Sequence, residues 1–402
     1  MGAKTIFGGI QPVQEAAVEK ALTLLDSLDT WITLHQIECC RIPAPPFEEQ
    51  ARGEYFRRLF QQLQLDRVRV DAAGNVRGEI PGSAPARERG VVAVTAHLDT
   101  VFPRSTVVDV RTEGGRLLGP GITDNGAGLA ALMGVAYALK LAAWRGRSSV
   151  VFVANTGEEG EGNLRGMRHL LDDATLQTRL RGLIVVDGPG TEHITIRGLG
   201  SRRYSIVVEG PGGHSWTEFG TVNPIHALSA AVTRLASAAF PVEPRATLSI
   251  GELRAGTSVN SIPSSATMKV DIRSGSEETL KQFATLLQET VREAVDQENR
   301  RASRGALTFQ MQDIGYRPAG ALSPDARILQ VIQQVDAFLG IHARSEQSST
   351  DANVALSLGL EAVSLGGGGQ GGGMHTLNEW YDPAQRVLGL KRILLATALL
   401  AS

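Results

Sequence analysis

The stretch that decides the fold is residues 148–160, "SSVVFVANTGEEG". It contains an apolar run, 150–154, that stops at Asn155 and is followed by two adjacent glutamates, Glu158 and Glu159. A run that is apolar on both faces is typical of a fully buried strand. Adjacent carboxylates repel each other unless a strong cation lies close to both. The stretch therefore predicts a buried strand with a charged site just beyond its end.

The same pattern occurs twice more in the first half of the chain. "GVVAVTAHLDT", residues 90–100, and "RGLIVVDGPG", residues 181–190, both read as buried strands that end in polar residues. Apolar residues at helical spacing predict one helix over 13–36 and another that begins at Asp124 or Asn125. Buried strands alternating with helices predict an α/β fold, with a mixed, mostly parallel sheet sandwiched by helices. Chemistry in such sheets collects beyond the carboxyl ends of the strands.

The pattern changes at about residue 197. From there to about 312, half-exposed strands alternate with amphipathic helices in the order β-α-β-β-α-β, which is typical of a ferredoxin-like α+β domain. A buried-strand pattern returns at 360–369. We therefore expect one catalytic domain, formed by 1–196 and 313–402, and a second domain, 197–312, inserted into it.

Composition restricts the possible partners. The chain has 402 residues and a formal net charge of −2, which gives no reason to expect a nucleic-acid or membrane partner. The two cysteines, Cys39 and Cys40, are adjacent and make a poor disulfide framework, so buried thiols in a reducing compartment are expected. The first residues have neither a long apolar stretch nor a cleavage site typical of a signal peptide. The expected location is cytoplasmic.

Polar residues that suit metal binding follow the predicted strands. His97 and Asp99 end one strand, Asp187 ends another, Asp124 precedes a helix, and His375 follows a glycine-rich tract. Each has a simpler explanation on its own: a solvated strand end, a turn, a helix cap or a flexible linker. Together with the glutamate pair they form a set of nitrogen and oxygen donors without thiolate, which suits zinc, manganese or cobalt. Two metals would need a bridging carboxylate and two sets of ligands, and the number of donors fits that demand.

The ordered set of motifs resembles the M20 family of metallopeptidases. That family includes peptidase T-like tripeptidases, glutamate carboxypeptidases, succinyl-diaminopimelate desuccinylases and aminoacylases. The resemblance covers nearly the whole chain and rests on "IPAPPFEEQARGEYF", "DAAGNVRGEIPG", "TAHLDTVFP", "GPGITDNGAGLAAL", "NTGEEGEGNLRG" and "MHTLNEW". It implies a zinc-exopeptidase-like catalytic domain with an inserted lid and dimerisation domain.

The resemblance also implies a ligand set for two zinc ions, with cobalt or manganese as alternatives. His97 and Asp187 would bind one metal, Glu159 and His375 the other, and Asp124 would bridge them. The peptide bond between Asp124 and the next residue is often cis in the family.

Catalytic roles follow from the same resemblance. Glu158 would be the general base that takes a proton from a water bridging the metals and later gives it to the leaving amine. Asp99 would orient His97. In the inserted domain, His214 would stabilise the oxyanion, and Asn260 and Arg273 would hold the substrate. Their simpler readings are a surface histidine, a turn asparagine and an arginine on a strand face.

Three functions remain open from the sequence. Asp187 in "DGPG" most resembles the tripeptidases, which favours a di-zinc exopeptidase of tripeptidase or aminopeptidase type acting on short peptides. A carboxypeptidase or an N-acyl amino-acid deacylase could use the same centre, and "GITDNGAG" departs from the common family pattern because it lacks a lysine. A non-catalytic binding protein is disfavoured because no ligand or base position is lost. A homodimer through the inserted domain is expected.

Overall fold

A computed structural model describes residues 12–402, and the chain forms two compact units. The larger unit contains the residues up to Gly198 together with Ala321–Ser402, and the inserted unit is Leu199–Gly320. The inserted unit ends later than residue 312, the predicted boundary, because its last strand continues to Arg317.

The first part of the larger unit contains six α-helices, a short 3₁₀ helix (Gly160–Gly162) and eight strands among the described residues. In chain order they are α1 (Pro12–Ser27), α2 (Asp29–Cys40), α3 (Gln50–Gln62), β1 (Asp66–Val70), β2 (Val76–Ile80), β3 (Val91–His97), β4 (Arg111–Glu113), β5 (Arg116–Leu118), α4 (Gly126–Leu141), β6 (Ser149–Asn155), α5 (Arg165–Leu171), α6 (Ala174–Arg179), β7 (Leu180–Val186) and β8 (His193–Gly198).

The inserted unit and the return to the larger unit follow. The inserted elements are β9 (Gly200–Glu209), β10 (Gly213–His214), α7 (Pro224–Ala236), β11 (Ala246–Ala255), β12 (Ser261–Ile262), β13 (Ser265–Ser274), α8 (Glu277–Arg301) and β14 (Thr308–Arg317), and β15 (Gly320–Ala321) leads out of the unit. The remaining elements are α9 (Arg327–Leu339), β16 (Arg344–Ser348), α10 (Ala352–Ser357), β17 (Ala362–Leu365), β18 (Gln370–Gly372), β19 (Trp380–Asp382) and α11 (Arg386–Leu400).

The central sheet of the larger unit is mixed and mostly parallel, as the sequence predicts. Its strand order is β1-β2-β6-β3-β7-β17-β8-β15, with β16 beside β8. The inner strands β6, β3, β7 and β17 run parallel, whereas β2 is antiparallel to β6 and forms an antiparallel hairpin with β1. Every residue of β3 is buried, because helices such as α4 pack against the central strands. The parallel arrangement places the carboxyl ends of β3, β6 and β7 at one edge.

Two local features differ in how well the sequence predicts them. The side chain of Asn125 accepts a hydrogen bond from the Gly128 amide at 3.0 Å, so α4 begins with the predicted cap. The single helix predicted over 13–36 is wrong, because the chain forms two helices that separate at Leu28. Both helices still present apolar residues at helical spacing, and the sequence around Leu28 contains neither proline nor glycine to mark the break.

The inserted unit has its own hydrophobic core, so it is a domain by itself. Its four-stranded sheet has the order β11-β13-β9-β14, and all neighbours are antiparallel. Helices α7 and α8 pack against each other and against β9 and β13. The predicted ferredoxin-like topology is therefore confirmed.

None of the helices within residues 12–402 combines the length and apolarity that crossing a bilayer would need. Cys39 and Cys40 are buried and free, as expected for two small apolar side chains.

Candidate metal centre

Three parallel strands and two loops of the larger unit bring the predicted ligands to one edge of the sheet. His97 is the last residue of β3, and Asp187 directly follows β7. Glu159 lies just beyond the end of β6, and Asp124 stands immediately before the cap of α4. His375 lies in the loop between β18 and β19, which pair with each other as an antiparallel hairpin.

Asp124 lies between the two histidines, with one oxygen toward each. Its Oδ1 is 3.1 Å from Nε2 of His97, and its Oδ2 is 3.1 Å from Nε2 of His375. Asp187 Oδ1 is 3.7 Å from His97 Nε2, and Glu159 Oε1 is 3.1 Å from His375 Nε2. The donors thus form two triads that share Asp124, and within each triad the donor atoms lie within 4.8 Å of one another. The Asp124–Asn125 peptide bond is cis, as the resemblance implies.

Asp99 fixes the segment that carries the glutamate pair. It is fully buried, and its two carboxylate oxygens accept hydrogen bonds from the amides of Glu158 at 3.0 Å and Glu159 at 2.7 Å. The backbone carbonyl of Asp99 lies 3.0 Å from Nδ1 of His97. If Nδ1 carries the proton and donates a hydrogen bond to that carbonyl, Nε2 carries no proton. Its lone pair then faces Asp124 and can bind a metal.

The electrostatics of the site favour added positive charge. Hydrogen bonds that His375 donates to the carboxylates of Asp124 and Glu159 raise its pKa to about 10. Burial lowers the pKa of His97, but its hydrogen bonds with the surrounding aspartates outweigh burial and raise it well above the usual value. Burial also raises the pKa of Asp124, yet the two histidines outweigh it and hold that pKa well below the usual range. Protons on the histidines thus balance the carboxylates here, and divalent cations would do so more strongly.

The donors fit a pair of divalent cations. One carboxylate with an oxygen toward each of two triads is what a bridging ligand requires, and the imidazole and carboxylate donors suit zinc, cobalt or manganese. His97 and Asp187 would hold one ion, Glu159 and His375 the other, and Asp124 both. Metals so held would act as Lewis acids toward a carbonyl oxygen.

Glu158 is buried beside this cluster. Its carboxylate lies with His97 and Glu159 in a further group of donors within 4.8 Å. The next acidic residue, Glu161, is exposed, as the sequence suggests. Glu158 and Glu159 are therefore buried whereas Glu161 is exposed to solvent, although all three lie within four positions of the chain.

Glu379 is a buried carboxylate to which the sequence assigned no role. Its side chain accepts hydrogen bonds from three backbone amides, those of Gly121 at 2.8 Å, Thr123 at 2.7 Å and Asp124 at 2.7 Å. Burial raises its pKa to about 7, although the three amides act in the opposite direction. Glu379 therefore holds the loop that ends in Asp124, the residue common to both triads.

Asp351 is a second buried acid that the sequence did not indicate. It directly precedes α10, is fully buried, and accepts a hydrogen bond from Asn155 Nδ2 at 2.6 Å. Asn155 in turn is paired in register with His97 on the neighbouring strand. Burial raises the pKa of Asp351 to about 7. No local motif marks Asp351, because its hydrogen-bond partner Asn155 lies 196 positions away in the chain.

The three site residues predicted in the inserted unit, one catalytic and two substrate-binding, do not all lie together. His214 in β10 pairs with Ser261 in β12, and Ser215 donates a backbone hydrogen bond to the carbonyl of Asn260 at 3.1 Å, so His214 and Asn260 are neighbours. Arg273 is at the opposite end of β13, about 27 Å from the start of that strand at ~3.4 Å per residue. Its Nε donates to Asp271 Oδ2 at 2.7 Å.

The ring of His214 is oriented by the backbone of its own turn. The amides of Trp216 and Thr217 lie 3.2 Å and 3.4 Å from Nδ1 of His214 and donate to it. A ring nitrogen that accepts carries no proton, so the neutral ring has its proton on Nε2. His214 is thus set to donate a hydrogen bond through Nε2.

Histidine and carboxylate triads at the carboxyl edge of an α/β sheet are donors that suit the centre of a metal-dependent hydrolase. Comparisons with known proteins narrow the class. The sequence model of Peptidase family M20/M25/M40 matches residues 93–399, which is most of the chain. The protein therefore belongs to this peptidase family and is a hydrolase.

Among curated relatives, a probable succinyl-diaminopimelate desuccinylase of Staphylococcus epidermidis is 29% identical over 194 residues. That match covers 45% of this chain and 42% of the relative, so it spans less than half of either protein. Among solved structures, a tripeptidase of Staphylococcus aureus is similar with a TM-score of 0.76 and 19% identity, covering 93% of this chain and 98% of that one. Aminopeptidase PepT of Bacillus cereus is similar with a TM-score of 0.75 and 18% identity, covering 93% and 99%. At these identities the solved structures support the fold.

Proposed function

We propose that this protein is a di-metal exopeptidase that releases terminal residues from short peptides, of tripeptidase or aminopeptidase type. The proposal rests mainly on the position of Asp124, which belongs to both triads of nitrogen and oxygen donors. The buried Glu158 lies beside them. Zinc is the metal we expect, and cobalt and manganese suit the same donors. The similarity in fold to a tripeptidase and to an aminopeptidase supports this choice of substrate.

The residues of the chain have separate tasks in this proposal. Glu158 takes a proton from the attacking water and delivers it to the nitrogen of the leaving amine. Asp99 holds the amides of Glu158 and Glu159 and so keeps the base and the ligand in a constant relation. His214 would donate from Nε2 to the developing oxyanion, and Asn260 beside it would hold the substrate carbonyl. Arg273 is proposed to bind a substrate carboxylate, for which its planar guanidinium is suited. Because it lies at the far end of β13 from His214 and Asn260, it would hold the same short peptide as those two residues only if they came from the other subunit of a dimer.

The test is hydrolysis of a broad tripeptide panel by purified, zinc-loaded protein. Release of free N-terminal residues that stops on removal of the metal is the expected result. If the whole panel stays intact while a panel of N-acyl amino acids is cleaved, the exopeptidase proposal fails. The similarity to a desuccinylase, an enzyme whose name denotes removal of an acyl group, favours this deacylase function as the second candidate.

We also propose a homodimer formed through the inserted unit. Strand β11 is at the edge of its sheet, so one side of its backbone is free to pair, and alternate residues of the strand are exposed. Helix α7 lies in the same unit and has an exposed surface beside its buried face. Light scattering tests this proposal: a mass of about twice the 42.8 kDa of the chain is expected, and a monomer would contradict it.

A further inference from the structure

A second charged pocket lies on the side of the central sheet formed by β1, β2, β6 and the start of β3. It has a cavity volume of about 140 Å³, and its lining includes residues at the start of β3 and of β6. The pocket is lined by five arginines: Arg67, Arg69, Arg77, Arg89 and Arg179.

Two carboxylates also line the pocket, and both already accept hydrogen bonds from other groups of the protein. Glu79 accepts from Arg67 NH1 at 3.4 Å. Asp173 caps α6, with its Oδ1 accepting from the amides of Thr175 at 3.0 Å and Leu176 at 3.2 Å. The pocket therefore has a clear excess of positive charge, because five arginines face two acids.

The strand register places two of the arginines side by side. Arg69 on β1 is directly opposite Arg77 on β2, an arrangement of like charges that is normally destabilising. Within residues 12–402, neither side chain makes a hydrogen bond or an ion pair, although acidic groups act on Arg77 at longer range. Arg77 is half-buried. Burial is the main cause that lowers its pKa, and the positive charge of Arg69 is the second.

The other arginines of the pocket leave part of their donor capacity unused. Arg89 donates through Nε to the carbonyl of Ala84 at 2.9 Å, and Arg179 donates through Nε to the carbonyl of Arg89 at 2.8 Å. Each guanidinium has five N–H donors in a planar fork, so most of these remain available for an acceptor in the pocket. Several forks around one small cavity suit a multiply charged tetrahedral oxyanion, because each can bind two of its oxygens.

We propose that this arginine pocket binds a phosphate-class oxyanion, as a free ion or as the phosphate group of a small molecule. The bound anion would lie between Arg69 and Arg77 and offset their repulsion. A concave cavity of this volume suits a small ligand rather than the extended surface of a nucleic acid. The residues that line the pocket are different from those of the metal triads, so its occupancy stabilises the fold and leaves the donors of the metal centre unchanged.

The test measures the thermal midpoint of the metal-loaded protein as inorganic phosphate replaces chloride at constant ionic strength. The wild type is expected to gain about 2–4 °C, the size of shift that ligand binding of moderate affinity produces in a chain of this class. Arg77→Gln should lose that gain, and its midpoint in phosphate-free buffer should be no lower than that of the wild type. Arg87→Gln is the matched control, because Arg87 is exposed, nearby and outside the pocket. Peptide turnover should be the same in all three proteins.

Further experiments identify which ligand and which site cause the shift in thermal midpoint. Calorimetry with phosphate should give one binding event in the wild type that is absent from Arg77→Gln, and glycerol phosphate in place of phosphate distinguishes a free ion from a monoester. An equal phosphate shift in Arg77→Gln would place the anion elsewhere, for example at the metals, and would overturn the proposal. A shift that chloride reproduces, or binding of an oligonucleotide without binding of phosphate, would also overturn it. If Arg77→Gln does not fold, Arg69→Gln gives the same comparison.

Discussion

Two clusters of side chains in the larger unit carry opposite charge. At the carboxyl edge, His97 and the surrounding acids gather beyond β3, β6 and β7, where loops can place side chains from distant parts of the chain. The arginines of the pocket come instead from the β1–β2 hairpin, the segment before β3 and α6. The first cluster therefore favours cations and the second an anion. The comparison teaches that side chains brought together around one sheet can form two binding regions of opposite charge.

The largest effect expected at the carboxyl edge comes from the proposed base. Glu158→Gln should lower turnover by about 10²–10⁴-fold, because it removes proton transfer while the ligands remain. The metal content should stay at the wild-type level, measured by elemental analysis of the dialysed protein. Glu161→Gln, a change of an exposed neighbour, is the control and should behave as wild type. Wild-type turnover in Glu158→Gln would exclude this residue as the base.

The adjacent residue should give the complementary result. Glu159→Gln is expected to weaken binding of the metal that His375 shares, because the 3.1 Å partner of that histidine loses its charge. Zinc titration followed by calorimetry would detect loss of one of the two binding events, and activity should return in part at high zinc. Unchanged metal affinity together with lost turnover would reverse the roles assigned to the glutamate pair.

Glu379 should have an intermediate effect. Glu379→Gln keeps the shape of the side chain but weakens its acceptance from three amides, so metal affinity should fall by about 10–100-fold, as for other groups that position a ligand. Glu379→Asp, which keeps the charge, should recover part of the affinity. If both variants lose thermal stability to the same extent and keep wild-type metal affinity, Glu379 is a structural residue only.

The smallest effect concerns the pH dependence of the metal-free protein. The pKa of His375 is raised from 6.5 to about 10, and a raised pKa contributes stability that is complete below the unfolded value and is lost as pH rises through the folded one. The thermal midpoint of the metal-free protein should therefore fall slightly from about pH 6.5 upward. The zinc-loaded protein should not show this trend, because a ligating histidine is already deprotonated. Parallel curves for the two forms would contradict this account.

The side chains that lie together at the carboxyl edge can be found in the sequence because they follow strands or precede a helix. His97, Asp187 and the glutamate pair each end a run of apolar residues, and such runs are visible without a structure. Glu379 and Asp351 were missed because their partners are the amides of residues 121–124 and the side chain of Asn155. Contacts of this kind leave no local pattern.

The arginine pocket could not be predicted from the sequence for a similar reason. Its members are spread from Arg67 to Arg179, and each one alone resembles an ordinary surface arginine. The opposition of Arg69 and Arg77 depends on a hairpin register that shifts between Asp66 and Arg69. Turn residues predict that a hairpin exists, but they do not fix an irregular register.

The central claim is that Asp124 is shared by two metals, and the number of zinc ions per chain tests it most directly. Elemental analysis of wild-type protein dialysed after zinc loading should give about two zinc ions per chain. Asp124→Asn, with its fold checked by circular dichroism, should retain fewer than one, because both triads lose their common charged ligand. Two zinc ions retained by Asp124→Asn, or a single zinc ion in the wild type, would contradict the claim.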